Sequence, residues 1–291
     1  MSYGDRLMAI GDAWKQYQAD PLRRRVAIGD GRSIDGAQPD LLWGLDFLAS
    51  PEQLAAGEPV SWVHSYPHHR PYIDYAAMRR ALGWRRPLEH LGFGLTRLLG
   101  HYRYRLDYRP TPAPIRLKPD ELALSEHWAQ QPFVALEPYI KTGAPPSKQW
   151  PVERFAEVAR QLSRAIPVYQ ISAPDSPVLD GLPQIRPRSF REALAYLRAA
   201  RLYIGPEGGL HHGAAAMGTR AVVIYGGFTS PLITGYDFQR QLTGGAEYAC
   251  GTRRGLCPHC AEHLNRISVA EVVDAARQLL EQPALQRSAS A

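Results

Sequence analysis

Apolar positions in the C-terminal part of the chain alternate between two rhythms. Residues 133–136 (FVAL), 168–171 (VYQI), 202–204 (LYI) and 221–225 (AVVIY) are short continuous runs, as expected of strands buried on both faces. Between them, Phe155, Val158, Ala159 and Leu162 repeat at i, i+3, i+4 and i+7, and Phe190, Leu194 and Leu197 follow the same helical spacing. Residues 210–217 are Ala-rich and helical in character, and Val272, Ala275 and Leu279 mark a last helix over 269–280, expected to pack across two domains. Strands alternating with helices predict a parallel sheet covered on both faces, whose ligands bind beyond the carboxyl ends of the strands. The N-terminal part is less regular. Leu7, Ile10, Trp14 and Tyr17 share one helical face, residues 25–28 and 61–64 read as strands, and 76–82 as a helix, which together suit a second α/β unit. Asp12 reads as a solvated helix residue.

The stretch 109–119 carries four prolines, which remove donors and forbid helix, so it reads as an extended connector. It sets expected domains at 1–118 and 119–285, with a frayed tail at 286–291. Composition narrows the class: 291 residues with 45% hydrophobic content exclude a disordered chain, and three cysteines exclude a disulfide-built miniprotein. No run is long and apolar enough to span a membrane, and the first residues, interrupted by Asp5 and Asp12, do not read as a signal peptide, so the expected location is cytoplasmic. A net charge of +6 favours anionic partners, among them nucleotides, phosphorylated sugars and nucleic acid.

Residues 205–218 (GPEGGLHHGAAAMG) leave a strand, turn on glycines and enter a small-residue helix. The free N–H groups and dipole at such a helix start form an anion site, and Gly208 and Gly209 let a diphosphate approach the backbone. Glu207 has the wrong charge for phosphate and suits ribose or sugar hydroxyls. The same segment also fits a tight packing turn. Lys141 and Lys148 lie in the loop after strand 133–136. Lysine near a helix N-terminus opposes the dipole, which a ligand phosphate would offset, although two solvated lysines read equally well.

Three segments together carry a resemblance. Residues 148–151 (KQWP) before an amphipathic helix, the 205–218 segment, and 221–231 (AVVIYGGFTSP) resemble, in order and spacing, the corresponding elements of glycosyltransferase family 9, the ADP-heptose:lipopolysaccharide heptosyltransferases. The resemblance implies α/β structure of the GT-B type: two Rossmann-like domains with parallel sheets facing a central cleft, the nucleotide-sugar donor held mainly by the C-terminal one. It implies an inverting transfer of a sugar from a nucleoside-diphosphate sugar to an acceptor hydroxyl. Lys148 matches the lysine on the donor phosphate, with Lys141 beside it. Glu207 stands where the family usually has Asp, Gly208 replaces Ser or Thr, and His212 falls on the family histidine. Gly226 belongs to the strand-glycine turn. Residues 2–5 (SYGD) resemble the family's small-x-glycine-aspartate turn, so Asp5 is the expected general base; it also fits as an N-cap for the helix near Leu7. Positive charge and helix dipole would substitute for a metal, so catalysis is expected to need no cofactor.

Other features stay open. Cys257 and Cys260 have the two-thiolate metal spacing, and Cys250 with His263 would complete a structural zinc site; free thiols or a redox pair are the alternative. Residues 66–74 fit an acceptor contact or an ordinary loop. Arg97, Arg103, Arg105 and Arg109 interleave with Tyr102, Tyr104 and Tyr108, which fits an edge strand. The same pattern motivates a second function class, a DNA-associated protein that either binds nucleic acid or glycosylates modified bases.

Overall fold

A computed structural model of the chain describes residues 2–64, 108–173, 175–245 and 258–283. The first helix, α1 (Tyr3–Ala19), starts at Ser2. Its hydroxyl accepts from the Asp5 N–H, and the Asp5 carboxylate reaches back to Ser2, a capping box. Leu7, Ile10 and Ala13 are buried along one face. Strand β1 (Val26–Gly29) then pairs in parallel with β2 (Ser61–His64), with the short helix α2 (Pro51–Ala55) between them. The expected helix at 76–82 lies outside the described residues.

The proline-rich connector is extended but is not a solvated spacer. Ala113 and Ile115 are buried, and the connector lies so close to α1 that a Cβ on Gly11 would sit 1.9 Å from the Thr111 carbonyl oxygen. Tyr108 donates its hydroxyl to both carboxylate oxygens of Asp12, at 3.1 and 3.2 Å, so Asp12 holds the connector and is not merely solvated. Pro119 opens a helix that the sequence reading did not foresee, α3 (Pro119–Trp128). Proline is suited to a first turn, and Glu121 accepts from the Lys118 N–H at 2.7 Å. Glu121 also receives the buried Arg191, whose guanidinium donates to the Asp40 and Arg116 carbonyls as well. One cation thus ties both parts of the chain and the connector together.

Six parallel strands form the main sheet: β3 (Val134–Leu136), β4 (Val168–Ile171), β5 (Gln184–Ile185), β6 (Leu202–Pro206), β7 (Ala221–Ile224) and β8 (Arg240–Leu242). Their order is β5-β4-β3-β6-β7-β8. The short β5 and β8 carry too few apolar residues to be read from sequence. Alternate residues point to opposite faces. Val134, Leu136, Leu202, Ile204, Val222 and Ile224 pack with α4 (Val152–Leu162) and α9 (Val269–Glu281). Ala135, Tyr203, Ala221 and Val223 join α5 (Phe190–Ala199), α6 (Gly209–Ala216) and α1 in one core. The short α7 (Pro231–Thr234), α8 (Pro258–Arg266) and two 3-10 helices (Pro39–Leu42 and Pro146–Lys148) complete the described elements.

Helix α9 packs on α4 and on strands β6 and β7, all within the C-terminal part. Among the described residues α1 bridges the two parts, laid against α6. The reason lies in the side chains: Val272, Val273, Ala275 and Ala276 form one stripe, which suffices for one partner surface. No helix among the described residues is long and apolar enough to cross a membrane.

Candidate active site

The strand order dictates where a site can form. From β3 the chain proceeds outward through β4 and β5, then returns to β6 on the other side of β3 and proceeds outward again. The loops leaving β3 and β6 therefore diverge, opening a crevice at the carboxyl ends of these two central strands. A cavity of about 760 Å³ occupies this position. Glu137 and Lys148 reach it from the loop after β3, and Glu207, Gly208 and Gly209 from the turn after β6. The first turn of α1 supplies Ser2, Tyr3 and Asp5.

Local chemistry fixes the Lys148 turn. Gln149 accepts from the Ile140 N–H at 3.0 Å and donates to the Pro138 carbonyl at 2.8 Å, folding the loop back on itself. Trp150 is fully buried, edge-on to Phe155, and donates its indole N–H to the Ile267 carbonyl. The lysine side chain emerges above this anchor, mostly buried, and its ammonium contacts the Glu207 carboxylate and lies 4.9 Å from the centre of the Phe228 ring. It is not a solvated lysine.

Glu207 is itself buried. Burial opposes its charge, but Lys148 foremost, with His212, outweighs that and holds its carboxyl well below the usual range. His212 Nε2 stands 3.7 Å from Glu207 Oε1, while its Nδ1 is 2.9 Å from the Tyr236 hydroxyl. His211 is fully buried behind it, and burial, reinforced by His212, pushes its pKa far down, so the ring is neutral. Ligand atoms of Glu207, His211 and His212 lie within 4.8 Å of one another. That spacing suits a metal, but Lys148 already neutralises the carboxylate, and a cation beside an ammonium is disfavoured.

The turn of α1 meets this cluster directly. A Cβ on Gly4 would stand 2.8 Å from His212 Cδ2, and Tyr3 stacks on Phe190 with ring centres 4.1 Å apart. The starts of α1 and α6 thus converge on one cavity. Both present positive dipole ends to it.

Compared with protein families, residues 96–255 match the model of glycosyltransferase family 9 (heptosyltransferase). The chain belongs to glycosyltransferase family 9. Its activity is therefore glycosyl transfer. Solved structures share the α/β fold at low identity. A family 9 glycosyl transferase from Veillonella parvula is 14% identical over 96% of this chain and 95% of its own, with a TM-score of 0.61. TibC of enterotoxigenic E. coli, described as an iron-containing dodecameric glycosyltransferase, is 17% identical over 96% and 74%, with a TM-score of 0.59. The E. coli heptosyltransferase WaaC, solved with ADP-2-deoxy-2-fluoro heptose, is 13% identical over 96% and 97%, with a TM-score of 0.51. A sequence comparison with curated proteins gives no match.

Within this family 9 chain, the cavity lining includes Asp5, Lys141, Lys148, Glu207, Gly208, Gly209 and His212. Gly226 does not line it. A Cβ there would sit 1.8 Å from the Ser147 carbonyl oxygen, so this glycine lets the Lys148 turn approach β7. Gly226→Ala is expected to displace that turn, costing about 1–3 kcal/mol of stability and weakening anion binding. Thermal unfolding and nucleotide titration of the variant check this. Asp5 is not the N-cap; Ser2 is, and Asp5 holds the third position of the capping box. Of the expected zinc ligands, Cys250 and Cys257 lie outside the described residues. Cys260 is buried near Gly227, and His263 Nδ1 lies 2.9 Å from the Gly244 carbonyl. Residues 66–74 and 97–107 also lie outside the described residues.

Sequence reasoning passed over Glu137 and Arg188, which line the cavity, and Tyr203, whose hydroxyl donates to Glu137. Glu137 directly follows a buried strand run, and that position was the available signal. Tyr203 reads as a core residue, and Arg188 lies in a segment without a motif.

Proposed function

We propose that this chain transfers a sugar, with inversion, from a nucleoside-diphosphate sugar to an acceptor hydroxyl. The observation that carries the proposal is the convergence of Lys148, the Glu207–Gly209 turn and the Asp5 turn on one crevice at the switch point of the sheet. In this reading residues 119–285 act as the donor-binding domain and residues 1–118 face the acceptor.

In this reading the diphosphate lies against the N–H groups at the start of α6. Lys148 swings from Glu207 to a phosphate oxygen, and Lys141 adds charge from the rim. Glu207, released from the ammonium, accepts from hydroxyls of the donor, and His212 keeps it in place. The acceptor oxygen attacks the anomeric carbon while its proton passes to Asp5, and the bond from that carbon to the diphosphate breaks. Lysine charge and backbone dipoles offset the leaving charge, so the step is proposed to proceed without a metal. The WaaC structure holds an ADP-sugar, which makes an adenosine-diphosphate sugar the first donor to try.

Titration calorimetry with ADP, UDP and their sugar conjugates tests the reading. Binding of at least one diphosphate, with release of diphosphate when donor and acceptor are mixed, is the expected result. Absence of binding by every member of the panel would remove it. DNA association is not favoured, since the family points to glycosyl transfer.

A further inference from the structure

Glu137 has no part in the mechanism above, yet it is built into the same cavity. It follows β3 directly, its backbone N–H donating to the Ile204 carbonyl at 2.8 Å. The fully buried Tyr203 donates its hydroxyl to Glu137 Oε2. Space for that pair comes from Gly205: a Cβ there would stand 2.3 Å from the Tyr203 hydroxyl and 3.0 Å from Glu137 Cβ. Among the described residues Oε1 has no hydrogen-bond partner, while the side chain lines the cavity.

The charges around it do not balance. Tyr203 faces Glu137 from β6, Lys148 from the turn before α4, and Glu207 from the turn before α6. Lys148 is in contact with Glu207 and so is already committed to one carboxylate. A second carboxylate would share that lysine with its neighbour, and a diphosphate entering the cavity would bring further negative charge. A carboxylic acid, in contrast, offers the phosphate a donor.

We propose that Glu137 is a specificity residue for the donor diphosphate: it binds a phosphate oxygen as the neutral acid through Oε1, so that donor binding takes up one proton from solvent. The inference rests on the donor reading above. Burial, the largest influence, works with it by pushing the Glu137 carboxyl up to about 7, against the lowering effect of Tyr203 and Lys148. Near neutral pH the group is therefore poised, and a phosphate tips it to the protonated form.

The experiment is calorimetric titration of ADP and of UDP into the whole chain between pH 6 and pH 9, in buffers of differing ionisation enthalpy. Wild type and Glu137→Gln are compared with the same nucleotide, which cancels the titration of the nucleotide itself. Wild type should take up about one more proton per nucleotide at pH 8 than the variant, and its affinity should fall by up to tenfold more per pH unit. Tyr203→Phe, which removes the hydrogen bond favouring the carboxylate, should move the proton-linked limb to higher pH. Equal proton uptake in wild type and Glu137→Gln, or an unmoved limb in Tyr203→Phe, overturns the role of Glu137 and leaves the donor reading intact. No binding of either nucleotide or of its sugar conjugates at any pH overturns both.

Discussion

Lys148→Ala is expected to weaken nucleoside-diphosphate binding by roughly 10- to 150-fold, the value of a charge-assisted hydrogen bond of about 1.5–3 kcal/mol. It should also destabilise the fold, for a separate reason. The ammonium is the main partner of a buried carboxylate, Glu207, and removing one member of such a pair costs about 3–5 kcal/mol. The sign of the pH dependence distinguishes this from a packing defect. In the wild type the Glu207 carboxyl is held below its ordinary value, so its contribution is present above about pH 4.5 and is lost as pH falls. Without Lys148, burial dominates and raises the carboxyl, so the variant should gain stability on acidification, where Glu207 is neutral. Thermal unfolding from pH 4 to pH 8 checks this. Adding Glu207→Gln should restore much of the stability and none of the phosphate affinity. A Lys148→Ala protein that binds diphosphate as the wild type does would end the phosphate assignment.

Asp5→Asn should leave nucleotide binding near the wild-type level while lowering turnover by about 10²–10⁴, the usual contribution of a positioned general base. The amide keeps an oxygen for the Ser2 contacts, so the capping box largely survives. Ser2→Ala is the counterpart: it removes the cap, at about 0.5–2 kcal/mol, but leaves the carboxylate. If Asp5 acts as a base, Asp5→Asn loses far more turnover than Ser2→Ala; if it is only a helix-start residue, the two behave alike or Ser2→Ala is worse. Donor–acceptor turnover measured alongside unfolding temperature separates these outcomes.

The central strands and their flanking helices were legible because buried strands must be continuous in apolar residues and α4 and α5 must repeat every three or four. Helix α3 escaped because Pro119 looks like the end of a proline-rich connector, although proline serves equally well as a first helical residue. The edge strands β5 and β8 escaped because an edge needs little burial and leaves little pattern. Among site residues, Lys148 and Glu207 stood out by their place after strands, but their contact with one another did not. They are 59 positions apart, and only adjacent pairing of β3 and β6 brings them together.

From its residue order alone, this protein is a parallel α/β chain with a helix start rich in free N–H groups, two lysines in a strand-end loop, and an aspartate near its beginning. Those are properties of local spacing and backbone chemistry. The fold decided which of them share one cavity. It placed β3 beside β6, laid α1 across the start of α6, moved Gly226 from the site to a backbone crossing, and set Glu137 on Tyr203 over the gap left by Gly205. Local pattern sets which face of each element is apolar; the order in which the strands pair sets which loop ends meet.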